Sequence, residues 1–80
     1  MSREQIAEKV NAFLVEDFEI DEALLQEENL IKEQIGIDSL DMVDIIVTVN
    51  DVFGFKLEKS ELAAVKTLGN FYDLIAAHVG

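Results

Sequence analysis

The chain has 80 residues, half of them hydrophobic, with 17 acidic against 6 basic side chains and a formal net charge of −11. This length suits one small domain, residues 1–80, and the apolar content is too high for a disordered chain. The charge argues against nucleic acid, and no apolar run approaches the roughly 20 residues of a membrane span. No cysteine is present, which excludes disulfides, thiolate metal sites and a cysteine nucleophile.

The excess of acidic side chains favours protein partners that carry basic patches, because electrostatic steering brings opposite charges together quickly. The alternative is that the acidity serves only solubility. No secretion signal is recognised at the beginning of the chain, so we expect a cytoplasmic protein, without membrane insertion and monomeric.

The first predicted helix runs from about Arg3 to Val15. Ser2 is expected to cap it, with Gln5 as the partner in a capping box. Its inward face is expected to hold four apolar residues at helical spacing: Ile6, Val10, Phe13 and Leu14.

A long first loop is predicted from Glu16 to Ile37. In this segment the apolar residues follow neither helical nor strand periodicity and are scattered among acids. A loop of this length is unusual in a compact domain. We therefore expect its apolar side chains to pin it to the core, with a helical turn near Asp21–Gln26.

Residues 39–53 contain many β-branched side chains, which by propensity alone favour a strand. Acids interrupt any strict alternation, and the segment is long for a buried strand. A helix is therefore predicted, with an inward stripe at helical spacing: Met42, Ile46, Val49 and Phe53.

Gly54 is expected to end that helix. A short third helix is predicted over Glu58–Val65, and Thr67 is expected to cap a last helix that ends at Gly80. The inward residues of these two helices are Leu57, Leu62 and Val65, then Leu68, Phe71, Tyr72, Ile75 and Val79. The sequence thus predicts an all-α fold, a small bundle of four helices with the third one short.

Catalysis finds no support in the sequence. Serine nucleophiles need a positioned base, and the only histidine, His78, lies on the last helix, where an exposed terminal residue is the ordinary interpretation. A calcium loop starting at Asp38 fails, because its third and fifth positions are Leu40 and Met42. No catalytic or metal-binding residue is therefore assigned.

One short segment, Ile35-Gly36-Ile37-Asp38-Ser39-Leu40-Asp41, comes directly before the apolar helix. A serine at a helix start has its hydroxyl among unpaired backbone N–H groups, at the positive end of the helix dipole. A phosphate attached to Ser39 would be stabilised there. Taken alone, however, such a serine is most often an ordinary N-cap.

The segment resembles the acyl carrier protein family, whose Gly-x-Asp-Ser-Leu motif stands here as Gly36-Ile37-Asp38-Ser39-Leu40. The resemblance is close from Ile35 to Phe53 and looser into the last helix. It implies a covalent 4′-phosphopantetheine on Ser39, flanked by Asp38 and taken from coenzyme A through a phosphopantetheinyl transferase. It also implies that acyl groups travel as thioesters between enzymes of fatty-acid or related lipid biosynthesis, without catalysis by the carrier.

The helix after the motif carries more apolar residues than one buried face requires. Leu40, Val43 and Val47 lie on another side, and Asp41, Asp44 and Asp51 border them. The resemblance implies that these six residues dock the partner enzymes, which carry basic patches. The alternative is that the three apolar side chains pack under the long loop.

The sequence departs from the commonest fatty-acid carriers at Asn50-Asp51-Val52, where a run of glutamates is usual, and no proline follows Leu57. Leu62 also stands where the family often has a smaller residue. The resemblance implies an acyl-chain cavity between the second and third helices, and the larger side chain of Leu62 would narrow it. The residues expected to line this cavity are Ile46, Leu57, Leu62 and Val65. A carrier for a polyketide or aryl-polyene pathway is therefore an alternative, as is an acidic interaction domain without a prosthetic group.

Overall fold

The computed structural model describes residues 1–79 and contains four α-helices in that range. They are α1 (Arg3–Glu16), α2 (Ser39–Phe53), α3 (Lys59–Ala63) and α4 (Leu68–Val79). The predicted all-α bundle with a short third helix is confirmed, although α3 is shorter at both ends than expected. The predicted helix end at Gly80 lies outside the described residues.

Reciprocal hydrogen bonds begin α1 and α4, which confirms the predicted caps at Ser2 and Thr67; the partner of Thr67, Asn70, was not predicted. The Ser2 hydroxyl accepts from the Gln5 N–H at 3.2 Å, and Gln5 Oε1 accepts from the Ser2 N–H at 2.9 Å. At α4 the Thr67 hydroxyl accepts from the Asn70 N–H at 3.1 Å, and Asn70 Oδ1 accepts from the Thr67 N–H at 3.3 Å. Each pair satisfies backbone donors that the helix itself leaves free.

Gly54 ends α2 in the left-handed conformation, with φ of 78°. Its N–H donates to the Asn50 carbonyl at 2.9 Å, which closes the last turn. Residues with a side chain rarely adopt this backbone conformation, so the glycine stop that the sequence predicts is confirmed.

The connection between α1 and α2 contains a 3₁₀ turn at Glu22–Leu24, within the segment where a helical turn is predicted. It also contains a π-helical turn at Ile31–Ile35, which was not predicted. The connection buries apolar side chains in the core, which confirms that they pin it: Leu25, Ile31, Ile35 and Ile37.

Backbone hydrogen bonds also tie this connection to the start of α4. The Ile31 N–H donates to the Lys66 carbonyl at 2.9 Å, and the Gly69 N–H donates to the Glu27 carbonyl at 3.0 Å. A Cβ at position 69 would lie 3.2 Å from that same carbonyl oxygen, so glycine permits the close approach. These contacts join segments far apart in sequence, and hydrophobic periodicity carries no signal for them.

Arg3 joins three elements at one corner of the bundle. Its guanidinium pairs with the carboxylates of Glu27 in the connection and Asp73 on α4. It also lies over the Tyr72 ring, 5.6 Å from the centroid, at a distance suited to a cation–π contact. Arg3 therefore holds α1, the long connection and α4 together.

The core forms where α1 packs on α4 and α2 packs on α3. The inward stripe of α2 consists of Met42, Ile45 and Val49, whereas Ile46 and Phe53 are only partly buried. The prediction of Ile46 in the centre of this stripe is therefore wrong. Ile45 and Ile46 have the same side chain and lie about 100° apart on the helix, so local sequence does not decide which of them faces the core.

Among the described residues, no helix has the length and apolar character needed to cross a membrane.

Candidate functional site

Asp38, not Ser39, caps the N-terminus of α2. Its Oδ1 accepts from the Leu40 N–H at 2.9 Å and from the Asp41 N–H at 3.1 Å. In return, the Asp41 carboxylate accepts from the Asp38 N–H at 3.4 Å. The extended backbone of Asp38, with φ of −98° and ψ of −178°, is typical of an N-cap.

Ser39 is the first residue of α2 and is exposed. Within residues 1–79 its hydroxyl has no hydrogen-bond partner. The interpretation of Ser39 as an ordinary N-cap is thus wrong, because Asp38 already fulfils that role. The hydroxyl has no structural task in the fold and faces solvent.

The electrostatic setting of Ser39 differs in part from the expectation. Two of the N–H groups expected beside its hydroxyl are bound by the Asp38 carboxylate, and Asp41 adds a second negative charge to the first turn. A phosphate on Ser39 would share the positive end of the helix dipole with both carboxylates. The stabilisation of such a phosphate is therefore weaker than the sequence suggests.

Two buried isoleucines hold the segment that leads to Ser39. Ile35 and Ile37 are both buried, and Gly36 between them has φ of 90°. This left-handed glycine turns the chain from the π-helical turn toward α2. Because Ile37 is anchored in the core, the exposed residues Asp38 and Ser39 start from a fixed position.

An apolar face on α2 points to solvent. The exposed fractions are 80% for Leu40, 52% for Val43 and 55% for Val47, so these side chains do not pack under the long connection. Together with Asp44 and Asp51 they lie at positions i, i+3, i+4, i+7 and i+11, which share one side of a helix. We call these five residues the outer face of α2.

Asp41 differs from the other two acids assigned to docking. It is partly buried, and its carboxylate accepts the Asp38 N–H in the helix cap. Asp44 and Asp51 are exposed. Asp41 therefore lies at the edge of the outer face and has a structural role as well.

The four residues predicted to line an acyl-chain cavity belong to the packed interior or its margin. Leu57 and Leu62 are almost fully buried, and Ile46 and Val65 are partly buried against the core. A cavity that opens between α2 and α3 among these side chains stays a prediction.

His78 is exposed, as the sequence predicts, and it also makes tertiary contacts. Its Nε2 lies 2.7 Å from a carboxylate oxygen of Glu61 on α3, and its ring stacks on Phe55, with centroids 4.4 Å apart. The hydrogen bond from His78 is the main cause that lowers the pKa of the Glu61 carboxyl. Sequence reasoning missed this cluster because no local spacing links residues 55, 61 and 78.

Comparison with known proteins identifies the same family across the chain. The sequence model of a family described as "Phosphopantetheine attachment site" matches residues 8–75. The chain is 33% identical to the acyl carrier protein of Thermotoga maritima over 79 residues, which cover 99% of this chain and 98% of the relative. It is 30% identical to the acyl carrier protein of Lactobacillus acidophilus over the full length of both chains.

A further relative, the acyl carrier protein of Saccharopolyspora erythraea, is 32% identical over 92% of this chain and 78% of its own length. The site geometry fits a covalent group on a serine, because the Ser39 hydroxyl is exposed and unbonded at the start of α2. The matched family implies that this group is 4′-phosphopantetheine. The chain belongs to the acyl carrier protein family, whose members are carriers and not enzymes.

Proposed function

We propose that Ser39 bears the 4′-phosphopantetheine arm, which a separate phosphopantetheinyl transferase transfers from coenzyme A. The observation that carries this proposal is the exposed Ser39 hydroxyl, which makes no hydrogen bond because Asp38 caps the helix. The arm supplies a terminal thiol that holds acyl groups as thioesters. The chain itself supplies a fixed attachment point and a surface that partner enzymes recognise.

The residues around Ser39 support the attachment by restricting its position. Asp38 and Asp41 fix the first turn of α2 through reciprocal hydrogen bonds, and Ile37 anchors the preceding residue in the core. A rigid first turn presents the hydroxyl to a transferase in one orientation. The tether then keeps an acyl group at high effective concentration near a docked enzyme.

The outer face of α2 is proposed as the docking surface for the transferase and for acyl-handling enzymes. Leu40, Val43 and Val47 offer exposed apolar area beside the attachment residue, as the core of an interface requires. Asp44 and Asp51 add negative charge that suits a partner with a basic rim. Asp41 contributes charge at the edge of this surface.

The pathway proposed is fatty-acid or related lipid biosynthesis, with the acyl chain sheltered between α2 and α3 by Ile46, Leu57, Leu62 and Val65. A specialised polyketide or aryl-polyene carrier is the second candidate. The observation that favours it is the sequence Asn50-Asp51-Val52, where only one acid stands at the end of the docking helix. The cytoplasmic location and monomeric state stay predictions of the sequence.

Mass spectrometry after incubation with coenzyme A and a broad-specificity transferase tests the attachment. We expect wild type to gain one arm and Ser39→Ala to gain none. Ser2→Ala and Thr67→Ala are matched controls, because each removes a hydroxyl from another helix start and should leave modification intact. An unmodified wild type would instead indicate an acidic interaction domain without a prosthetic group, and a modified Ser39→Ala would place the arm elsewhere.

A further inference from the structure

A surface groove lies on α1, a helix that carries none of the residues assigned to docking. The groove has a volume of about 330 Å³ and is formed by one side of α1 and the 3₁₀ turn at Glu22–Leu24. Its lining consists of Glu8, Asn11, Ala12, Val15, Glu16 and Glu22. A partner that fills this groove therefore contacts other residues than a partner on the outer face of α2.

The fold holds both walls of the groove in place. The five lining residues of α1 occupy positions i, i+3, i+4, i+7 and i+8, which share one side of a helix. The Ile20 N–H donates to the Leu14 carbonyl at 3.1 Å, which ties the chain before the turn to the end of α1. The Asp21 carboxylate accepts from the Ala23 N–H at 2.9 Å and caps the turn. The groove is therefore shaped before a partner binds.

The lining of the groove is partly apolar. Ala12 and Val15 are exposed in it, and Leu24 is exposed on the turn that forms the other wall. Apart from Met1, Val15 and Leu24 are the only large apolar side chains outside α2 that are exposed within residues 1–79. Exposed apolar side chains beside a concave surface are typical of an interaction site, and solubility does not explain them.

The charged part of the lining is entirely negative. Glu8, Glu16 and Glu22 are exposed, and within residues 1–79 none of them forms an ion pair. Five of the seven residues 16–22 are acidic. A basic partner is attracted to such a surface, whereas an acidic partner is repelled. In the described part of the chain no three acidic or histidine side chains are arranged to hold a metal ion, which favours a basic protein segment as the occupant.

We propose that this groove binds an amphipathic helix of a basic partner protein. An apolar side chain of that helix contacts Ala12 and Val15, and a basic side chain at each end pairs with Glu8 and Glu16. These two glutamates are eight residues apart, roughly 12 Å along the axis of α1. Basic residues at positions i and i+8 of a partner helix have the same spacing, with residue i+4 between them. Glu22 adds a third negative charge on the other wall.

This interaction goes beyond the proposed function, because the groove does not involve the arm on Ser39. It gives the carrier a second surface for a partner, built from different residues than the outer face of α2. Binding in the groove is therefore expected to be the same in wild type and in Ser39→Ala. A failure of the attachment to Ser39 would leave the following test unaffected.

Two designed peptides provide the test. The first is an alanine-based peptide of about 20 residues, long enough to form a helix, with arginine at i and i+8 and leucine at i+4. The second has the same composition, with the leucine moved to the opposite side of the helix. We expect the first peptide to shift the backbone amides of Ala12, Val15 and Glu22 in NMR spectra. It should also bind at least about threefold more tightly than the second peptide.

Single replacements locate the binding site. Val15→Ser should weaken binding of the first peptide by about threefold to tenfold, and Glu16→Gln by about twofold to fivefold. Glu4→Gln is the matched control for charge, since Glu4 is an exposed acid on α1 outside the groove. Val47→Ser is the matched control for apolar contact, because it removes an exposed valine from the outer face of α2. Both controls should bind the peptide like wild type.

Three results would overturn the proposal: equal binding of the two peptides, amide shifts confined to α2, or equal losses in Val15→Ser and Val47→Ser. The first result would show that net charge alone attracts the peptide. Either of the other two would place the peptide on the outer face of α2 instead of in the groove.

Discussion

The starts of α2 and α4 use a hydroxyl residue in opposite ways. At α4, Thr67 is itself the N-cap, and its hydroxyl accepts the Asn70 N–H at 3.1 Å. At α2, Asp38 is the N-cap and Ser39 follows it as the first helical residue, with an unbonded and exposed hydroxyl. A difference of one position separates a hydroxyl that stabilises a helix from one that is available for chemistry.

The start of α1 follows the pattern of α4, because the Ser2 hydroxyl accepts the Gln5 N–H. A carboxylate thus takes the capping role at the one helix start where the hydroxyl is proposed to carry a group. Asp and Ser are about equally good N-caps, so stability does not require this arrangement.

Moving the hydroxyl by one residue should abolish modification. In the double variant Asp38→Ser/Ser39→Ala, a serine still starts the helix but occupies the capping position. We expect it to fold like wild type and to gain no arm, as measured by circular dichroism and mass spectrometry. Modification of this variant would show that the position within the first turn does not matter.

Charge reversal on the outer face should slow capture by the transferase. Asp44→Lys and Asp51→Lys should each reduce the modification rate by up to about tenfold at low salt. The effect should shrink as salt is added, because the screening length is about 10 Å at 0.1 M. Rates measured by mass spectrometry across a salt series check this expectation.

Glu8→Lys provides the control for charge reversal, since it changes the same charge at an exposed position on α1. Asp41→Lys is not a clean test, because Asp41 also accepts the Asp38 N–H in the cap. If Glu8→Lys slows modification as much as Asp44→Lys does, net charge governs recognition and the outer face does not.

Removing the Thr67 hydroxyl, which caps α4, should reduce stability, whereas removing the Ser39 hydroxyl should not. Thr67→Ala should lower the free energy of unfolding by about 1 kcal/mol, the usual cost of removing an N-cap. Ser39→Ala should change it by less than about 0.5 kcal/mol, since its hydroxyl makes no bond in the fold. Urea denaturation measures both, and an equal loss in the two variants would contradict the assignment of Asp38 as the cap.

The smallest effect is expected at the contact between Glu61 and His78. The hydrogen bond with His78 lowers the pKa of Glu61 below its ordinary value of 4.5. The contact therefore stabilises the fold at pH values above the ordinary pKa of the carboxyl. This contribution is lost as the pH falls through the lowered pKa of the folded protein. Glu61→Gln should melt slightly below wild type at mildly acidic pH.

Melting temperatures of wild type and Glu61→Gln should converge in more acidic solution, where the carboxyl of the wild type is protonated. Lys59→Gln on the same helix is the control, and its difference from wild type should not follow the titration of Glu61. If the difference in melting temperature between Glu61→Gln and wild type stays constant as the pH falls, the lost stability comes from packing and not from the ionised carboxylate.

Local signals in the sequence determined the helices, three of their boundaries and the family motif. The caps at Ser2 and Thr67 and the stop at Gly54 depend on residues within about one turn of each other, which a single sequence displays directly. The motif from Gly36 to Leu40 is equally local. The excess of apolar residues on one helix predicts a second apolar side, but only the structure shows that Leu40, Val43 and Val47 are exposed there.

Only the tertiary structure decided which face of α2 is buried and which groups meet across the fold. Ile45 rather than Ile46 faces the core because packing against other elements sets the rotation of the helix, and the two side chains are identical. The contact of His78 with Glu61, like the backbone hydrogen bonds between the long connection and the start of α4, joins segments distant in sequence. Such contacts depend on how the helices are placed in space, and neither composition nor periodicity encodes that placement locally.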